Sequence, residues 1–267
     1  MEKRFNRPLR RDAGPPRKSK NEFLVFGLRP VMELLRSDKE IERVLLSREL
    51  LQRTEGAELQ AVCKQTGIPF QVVPVEKLNR ITPKMHQGAL AFISPVPYQK
   101  TEFLIPVLFE EGENPFLLLL DRITDVRNFG AIARTAECAG VHALVIPEKG
   151  AAQIGEDAVK TSAGALNHIP VCREKDLSRT VDFLLESGLS IVACTEKGDE
   201  SFFGLNLQGP VAIIMGSEED GISEALLRKA HHLAALPQAG KIGSLNVSVA
   251  AGIALFEVLR QRNLAEK

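Results

Sequence analysis

Short apolar runs and helical spacings take turns along the chain. Val44-Leu45-Leu46 is a brief apolar run, and over 58–65 the positions Leu59, Val62 and Cys63 recur at helical spacing until Gly67 stops the pattern. Residues 70–73 read as a strand between Pro69 and Pro74, 75–81 as a short helix, and 89–93 as a second strand closed by Pro95. Strand and helix in alternation predict a small α/β domain. Residues 95–115 hold Pro95, Pro97, Pro106, Gly112 and Pro115 and read as a connection, with room for a helix near 103–109.

The second half is more regular. Residues 116–120 are continuously apolar, as expected of a strand buried on both faces. A helix rich in small residues is predicted over 131–139 and a strand over 143–146. A helix over 177–185 ends at Gly188. Strands follow at 189–194 and 211–215, then a helix at 223–230, a short strand at 233–236 and a long final helix over 247–262. The fold class is α/β: a mostly parallel sheet with helices on both faces, preceded by the small α/β domain. The domain reading is 1–20 a flexible basic arm, 21–95 the small domain, 96–115 a linker and 116–267 the sheet domain.

Composition changes this picture in one place. At 267 residues the chain suits one large or two small domains, and its 44% hydrophobic and 25% charged content is that of a soluble protein. Net charge is zero, but 1–20 carry eight cationic residues against Glu2 and Asp12, a net of +6 that leaves −6 for the rest. A basic leader on a mildly acidic body suits phosphate contact, and equally a solvated tail with no partner. Cys63, Cys138, Cys172 and Cys194 are scattered, with no CxxC and no zinc spacing, so no metal is expected and the thiols read as reduced core residues of a cytoplasmic protein. The N-terminus lacks the apolar stretch of a signal peptide, and no run is long enough to span a membrane.

In open α/β sheets ligands bind beyond the carboxyl ends of the strands. Three polar islands lie there. The first runs from Asp121 to Gly130, with Asn128 placed to cap the next helix and Arg134 six residues further on. The second is Gly216-Ser217-Glu218-Glu219-Asp220-Gly221. Gly216 would let a ligand approach the backbone. Its acids argue against phosphate and suit ribose hydroxyls or a positive centre. The third is Gly240 to Asn246, ahead of a helix rich in small residues that Ser244 is placed to cap. Taken singly, each island also reads as ordinary structure: a capped helix with a surface arginine, a solvated turn, a close helix packing.

In order and together, Asp125…Asn128-Phe129-Gly130…Arg134, Gly216-Ser217-Glu218…Gly221 and Ser244-Leu245-Asn246-Val247-Ser248-Val249-Ala250 resemble the three motifs of the SpoU (TrmH-like) RNA 2′-O-ribose methyltransferases. The similarity runs over 114–267. Phe26-Gly27-Leu28-Arg29-Pro30-Val31 and His86-Gln87-Gly88-Ala89 resemble the ribosomal-protein-L30e-like RNA-binding domain that precedes the catalytic domain in many members. The subgroup most similar methylates a guanosine in 23S ribosomal RNA. Two departures concern loop geometry: Val126 stands where the family often has proline, and Gln238 follows Pro237 where many members have methionine.

The resemblance implies a deep trefoil knot in the C-terminal domain, S-adenosylmethionine as methyl donor, RNA as substrate (23S ribosomal RNA, with transfer RNA as the alternative) and a homodimer whose groove both subunits complete. It implies Arg134 as the central catalytic residue. Arginine guanidinium groups keep their proton in proteins, so the expected role is stabilising alkoxide charge and gripping a phosphate, not acting as a base. Asn128 is expected to orient the ribose or Arg134, Glu218 to hold Arg134 or accept from the substrate, and Ser244 and Asn246 to shape the floor. Thr195, Gly216, Leu236 and Leu245 are the expected cofactor positions.

Two readings from other classes are weaker. A non-catalytic RNA-binding module of ribosome assembly has no need of Asn128, Arg134, Glu218, Ser244 and Asn246 together. A nucleotide-cofactor oxidoreductase would show a glycine fingerprint after a strand, and none occurs.

Overall fold

The computed structural model describes residues 23–265; the basic run of 1–20 lies outside the described residues. The small domain comprises β1 (Leu24–Phe26), α1 (Leu28–Leu35), β2 (Ile41–Ser47), α2 (Arg48–Leu51), α3 (Thr54–Thr66), β3 (Phe70–Val73), α4 (Val75–Ile81) and β4 (Ala89–Ile93). Its sheet has the order β1-β4-β2-β3, with β4 antiparallel to β1 and β2, and β3 parallel to β2. The apolar run of β2 faces two ways, as strand alternation requires. Val44 and Leu46 pack with Val31, Leu59 and Cys63 on one side, while Leu45 packs with Val73, Leu78 and Leu90 on the other. Gly67 closes α3 in the left-handed conformation at φ +72°. The two segments of the L30e-like resemblance meet, since Leu28 N donates to Gln87 Oε1 at 3.1 Å.

The larger domain holds β5 (Tyr98–Gln99), α5 (Thr101–Glu110), β6 (Phe116–Asp121), α6 (Val126–Cys138), β7 (Ala143–Pro147), α7 (Glu156–Thr161), β8 (Val171–Glu174), α8 (Leu177–Glu186), β9 (Ser190–Cys194), β10 (Glu200–Ser201), β11 (Val211–Gly216), α9 (Glu224–Leu227), β12 (His232–Ala235) and α10 (Val247–Ala265). Its eight strands run in the order β10-β12-β9-β11-β6-β7-β8-β5, and every pairing is parallel. Phe116, Leu118 and Leu120 of β6 face the core formed with α6 and α10, and Leu117 and Leu119 face the core formed with α5 and α8. From β6 the chain builds outward through β7 and β8, then crosses back to β9 and β11 on the other side. The strand order therefore reverses between β6 and β11, where such sheets bind ligands. Among the described residues no helix is long and apolar enough to cross a membrane.

The structure corrects several expectations. Residues 96–115 are more than a linker: β5 joins the sheet edge and α5 buries Ile105 and Leu108 against it, accommodating Pro106 within the helix. The segment carrying α7 and β8 had no predicted element, because its short, mixed sequence acquires order from its neighbours, α7 by packing on α6 and β8 by pairing with β7 and β5. Helix α6 begins five residues earlier than predicted, and α9 is a single short turn.

Candidate active site

Two further corrections define the site. Helix α6 is capped by Asp125, not Asn128: Asp125 Oδ1 accepts from Asn128 N at 2.7 Å. Helix α10 is capped by Asn246, not Ser244. The Asn246 carbonyl accepts from Val249 N and Ala250 N, and its Oδ1 accepts from Ser248 N at 2.9 Å and Ser248 Oγ at 2.5 Å. In the first motif the helix-starting group is thus separate from the group left for chemistry, whereas Asn246 caps with its oxygens and keeps its Nδ2 for other contacts.

The carboxamide of Asn128, freed from capping, donates from Nδ2 to Glu218 Oε1 at 3.1 Å. Asn246 Nδ2 donates to the same Glu218 oxygen at 2.8 Å and to Asn128 Oδ1 at 3.1 Å. The first turn of α6, the loop after β11 and the residue before α10 thereby place three side chains in one closed triangle. A carboxylate accepting two amide donors is fixed in orientation by charge-assisted bonds. Asn128 is half-buried and Glu218 and Asn246 are exposed, so the triangle faces outward from the sheet end.

A cavity of about 550 Å³ opens beside it, walled by the ends of β9, β11 and β12 and by 243–247. Thr195, Gly216, Leu236 and Leu245 all line it, as do Glu218, Ser244 and Asn246. A second cavity of about 360 Å³ takes Asn128 and Asp125 into its wall and shares Ser217, Glu218 and Val247 with the first. Arg134 lines neither. It is exposed on α6, and among the described residues no hydrogen bond or ion pair engages its guanidinium. The sequence reading did not assign Glu196 and Lys197, Met215 and Ile222, or Gln238, which also line the larger cavity. The first two follow the carboxyl end of β9, where the strand-end rule could have found them.

Gly216 has a different reason from the expected one. A Cβ there would lie 2.2 Å from the Gly221 carbonyl carbon, so the chain's own turn, not a ligand, occupies that space. Ser217 O accepts from Gly221 N at 3.0 Å and Ser217 Oγ from Asp220 N at 3.1 Å, closing the turn that presents Glu218. Gly130 is likewise a packing requirement, its Cβ position lying 2.6 Å from Thr161 Cβ where α6 meets α7.

The cavity's chemistry fits S-adenosylmethionine. Met215, Ile222, Leu236 and Leu245 supply apolar surface for an adenine, while Glu196, Glu218, Glu219 and Asp220 against Lys197 make the rest acidic, as suits ribose hydroxyls and a cationic sulfonium. Burial, reinforced by the Glu196 carboxylate, pushes the Cys194 thiol up to about 12, so the one cysteine in the wall stays protonated and inert toward a methyl donor. Among the described residues no group of three or more His, Cys, Asp or Glu side chains could hold a metal ion.

Comparison with known proteins agrees with this arrangement. The chain matches the SpoU rRNA Methylase family over residues 115–256 and the family described as RNA 2'-O ribose methyltransferase substrate binding over residues 24–99. It is 35% identical to the 23S rRNA (guanosine-2'-O-)-methyltransferase RlmB of Yersinia pestis, over 90% of this chain and 98% of that one. Among solved structures it is similar to the SpoU methyltransferase AviRb of Streptomyces viridochromogenes in complex with the cofactor AdoMet, at 26% identity and TM-score 0.58 over 91% of each chain. It is also similar to the AdoMet-bound rRNA methyltransferase of Sinorhizobium meliloti, at 25% identity and TM-score 0.58 over 89% of this chain and 87% of that one. The triangle at the strand ends, the cavity that fits the methyl donor and these two family matches agree: the chain belongs to the SpoU family of S-adenosylmethionine-dependent RNA 2′-O-ribose methyltransferases.

Proposed function

We propose that this chain methylates the ribose 2′-hydroxyl of a guanosine in 23S ribosomal RNA, the activity for which its relative in Yersinia pestis is named. The observation that carries the chemistry is the Asn128–Glu218–Asn246 triangle on the wall shared by two adjoining cavities. S-adenosylmethionine, when bound, supplies an already activated sulfonium methyl. Thr195, Gly216, Leu236 and Leu245 would hold it in the larger cavity, with Ser244 and Asn246 shaping the floor. Asn128 and Asn246 fix Glu218 so that its second oxygen is available to a ribose hydroxyl at the mouth of the smaller cavity. Such alignment of the nucleophile is the main work left to the protein, because the donor needs no further activation.

Arg134 is assigned the stabilisation of alkoxide charge and the grip on an adjacent phosphate. Its place on α6, away from its own chain's triangle, supports action in a groove completed by a second copy. Helix α10 packs against α6 and leaves Val249, Ile253 and Phe256 exposed along one stripe, at 51%, 38% and 48%. An apolar stripe of this kind beside an unpaired arginine suits a homodimer interface. The small domain is assigned the recognition of structured RNA, and the knot belongs to the same reading: the loop after β12 lies among the loops after β9 and β11 before the chain reaches α10. Four unpaired cysteines suit a cytoplasmic location.

The test is transfer of labelled methyl from S-adenosylmethionine to unmodified 23S, 16S and transfer RNA, followed by mapping of 2′-O-methyl sites. A single guanosine in 23S RNA is expected. A transfer-RNA site would overturn the substrate and keep the chemistry; cofactor binding without transfer to any RNA or pre-ribosomal particle would overturn the substrate class.

A further inference from the structure

Arg122 occupies a position where an arginine is out of place. It follows β6 directly and adopts φ +61°, the left-handed region that costs a side chain with a Cβ and that glycine enters freely. Such a residue persists only where its surroundings over-determine it, and such residues cluster at functional sites. Here the surroundings are explicit. Arg122 Nη1 donates to Asp220 Oδ2 at 3.0 Å and Nη2 donates to the Gly221 carbonyl at 3.0 Å. Its Nε lies 3.4 Å from Oδ1 of the buried Asp121, whose other oxygen accepts from Ser223 N at 2.7 Å. Arg122 and Asp121 thus hold both ends of one short segment. The guanidinium takes Asp220 and Gly221, and the carboxylate takes Ser223 on the far side of Ile222.

That segment is the turn that presents Glu218 and forms the wall between the two cavities. Its inner closure is weak, resting on two bonds from Ser217. Glycine at 216 is obligatory because the turn folds back onto it, so no side chain at 216 itself can brace that strand end. The left-handed backbone at 122 aims the guanidinium sideways from β6 toward β11 and supplies the missing brace.

We propose that Arg122 is a positioning residue for methyl transfer. By clamping Asp220 and Gly221 it sets the height of Glu218 in the triangle and the wall of the cofactor cavity; its own side chain borders the smaller cavity and stays out of the cofactor cavity. This rests on the methyltransferase reading for its rate arm, and its binding arm stands apart from that reading.

Replacement by glycine tests it, because R122G removes the guanidinium while relaxing the backbone. The expected result is a melting temperature at or above that of the unaltered chain and S-adenosylmethionine binding weaker by roughly tenfold in calorimetry, the worth of about one charged hydrogen bond. With RNA the kcat should fall by about 100-fold, as for a small misplacement of aligned groups, and the KM for RNA should not change. Unchanged cofactor affinity and kcat in R122G would overturn the proposal, as would a loss of function that only tracks a fall in melting temperature. Failure of the unaltered chain to methylate any RNA would strike the functional reading, while the calorimetric arm would still decide the role of Arg122.

Discussion

Glu42 of the small domain and Arg173 of the large one meet across the domain boundary, Oε2 to Nη1 at 3.3 Å, with side chains only 9% and 12% exposed. Tyr98 donates its hydroxyl to the same Glu42 oxygen, and the Arg173 guanidinium lies over the Tyr98 ring, 4.8 Å from its centroid. Removing one member of a buried pair strands the other, at a cost of about 3–5 kcal/mol. Glu42→Ala is therefore expected to lower unfolding free energy by that order in urea titration and to split one thermal transition into two. The KM for RNA should rise while cofactor affinity holds, because the small domain loses its fixed angle to the triangle. A loss under about 1 kcal/mol with a single transition would show that the boundary is held by other contacts.

Alkaline pH should destabilise the protein. Burial raises the thiols of Cys63 to about 11 and of Cys172 and Cys194 to about 12, and burial first, then Glu42, raises the Tyr98 hydroxyl well above its ordinary range. Above about pH 8.5 the unfolded thiols give up protons that the folded chain keeps. The folded state then binds more protons than the unfolded one, so stability is full below that pH and declines as pH rises toward the folded values. Urea titrations in reductant at pH 7.5 and pH 10 should show the decline, and Cys172→Ala should flatten it. A flat profile to pH 10 would contradict these environments.

Asn246 both caps α10 and completes the triangle, and one substitution separates the two duties. Aspartate caps a helix as well as asparagine does. Asn246→Asp should hold the melting temperature to within a few degrees, yet it places a second carboxylate where the amide now donates to Glu218 at 2.8 Å. Methyl transfer should fall by about 100-fold, as for loss of one preorganised donor at a reacting centre. Activity close to that of the unaltered chain would mean that Glu218 needs no orientation from this amide.

The converse separation applies to α6. Asp125→Ala should cost about 1 kcal/mol of stability as a lost cap. Asn128→Ala leaves that cap in place and should instead lower the rate. The sequence reading gave Asn128 the cap as well as its catalytic role, because both residues are good caps three positions apart and the helix pattern becomes clear only from Ala131. The strands at 70–73 and 89–93 and the helix at 75–81 were legible to the residue, since glycine and proline punctuate them. The left-handed Arg122 was not, because nothing in its type marks a backbone held against preference. The place of Arg134 was a matter of arithmetic. Six residues past Asn128 is about 240° around a helix, which turns it from the triangle onto the exposed face.

That displacement makes a specific prediction about assembly. If Arg134 acts in the groove of a second copy, a site is built from Asn128 of one protomer and Arg134 of the other. Mixing an Asn128→Ala chain with an Arg134→Ala chain, each inactive alone, then yields heterodimers in which one site has lost both groups and the other has lost neither. With random pairing, roughly a quarter of the wild-type activity should return. If both groups act within one protomer, every site in the mixture lacks one of them and nothing returns. Phe256→Asp supplies the control. It puts a charge on the exposed stripe of α10, so it should yield a monomer in sedimentation that still binds S-adenosylmethionine and transfers no methyl. A fully active monomer would return Arg134 to its own chain's site and leave the stripe without a role in catalysis.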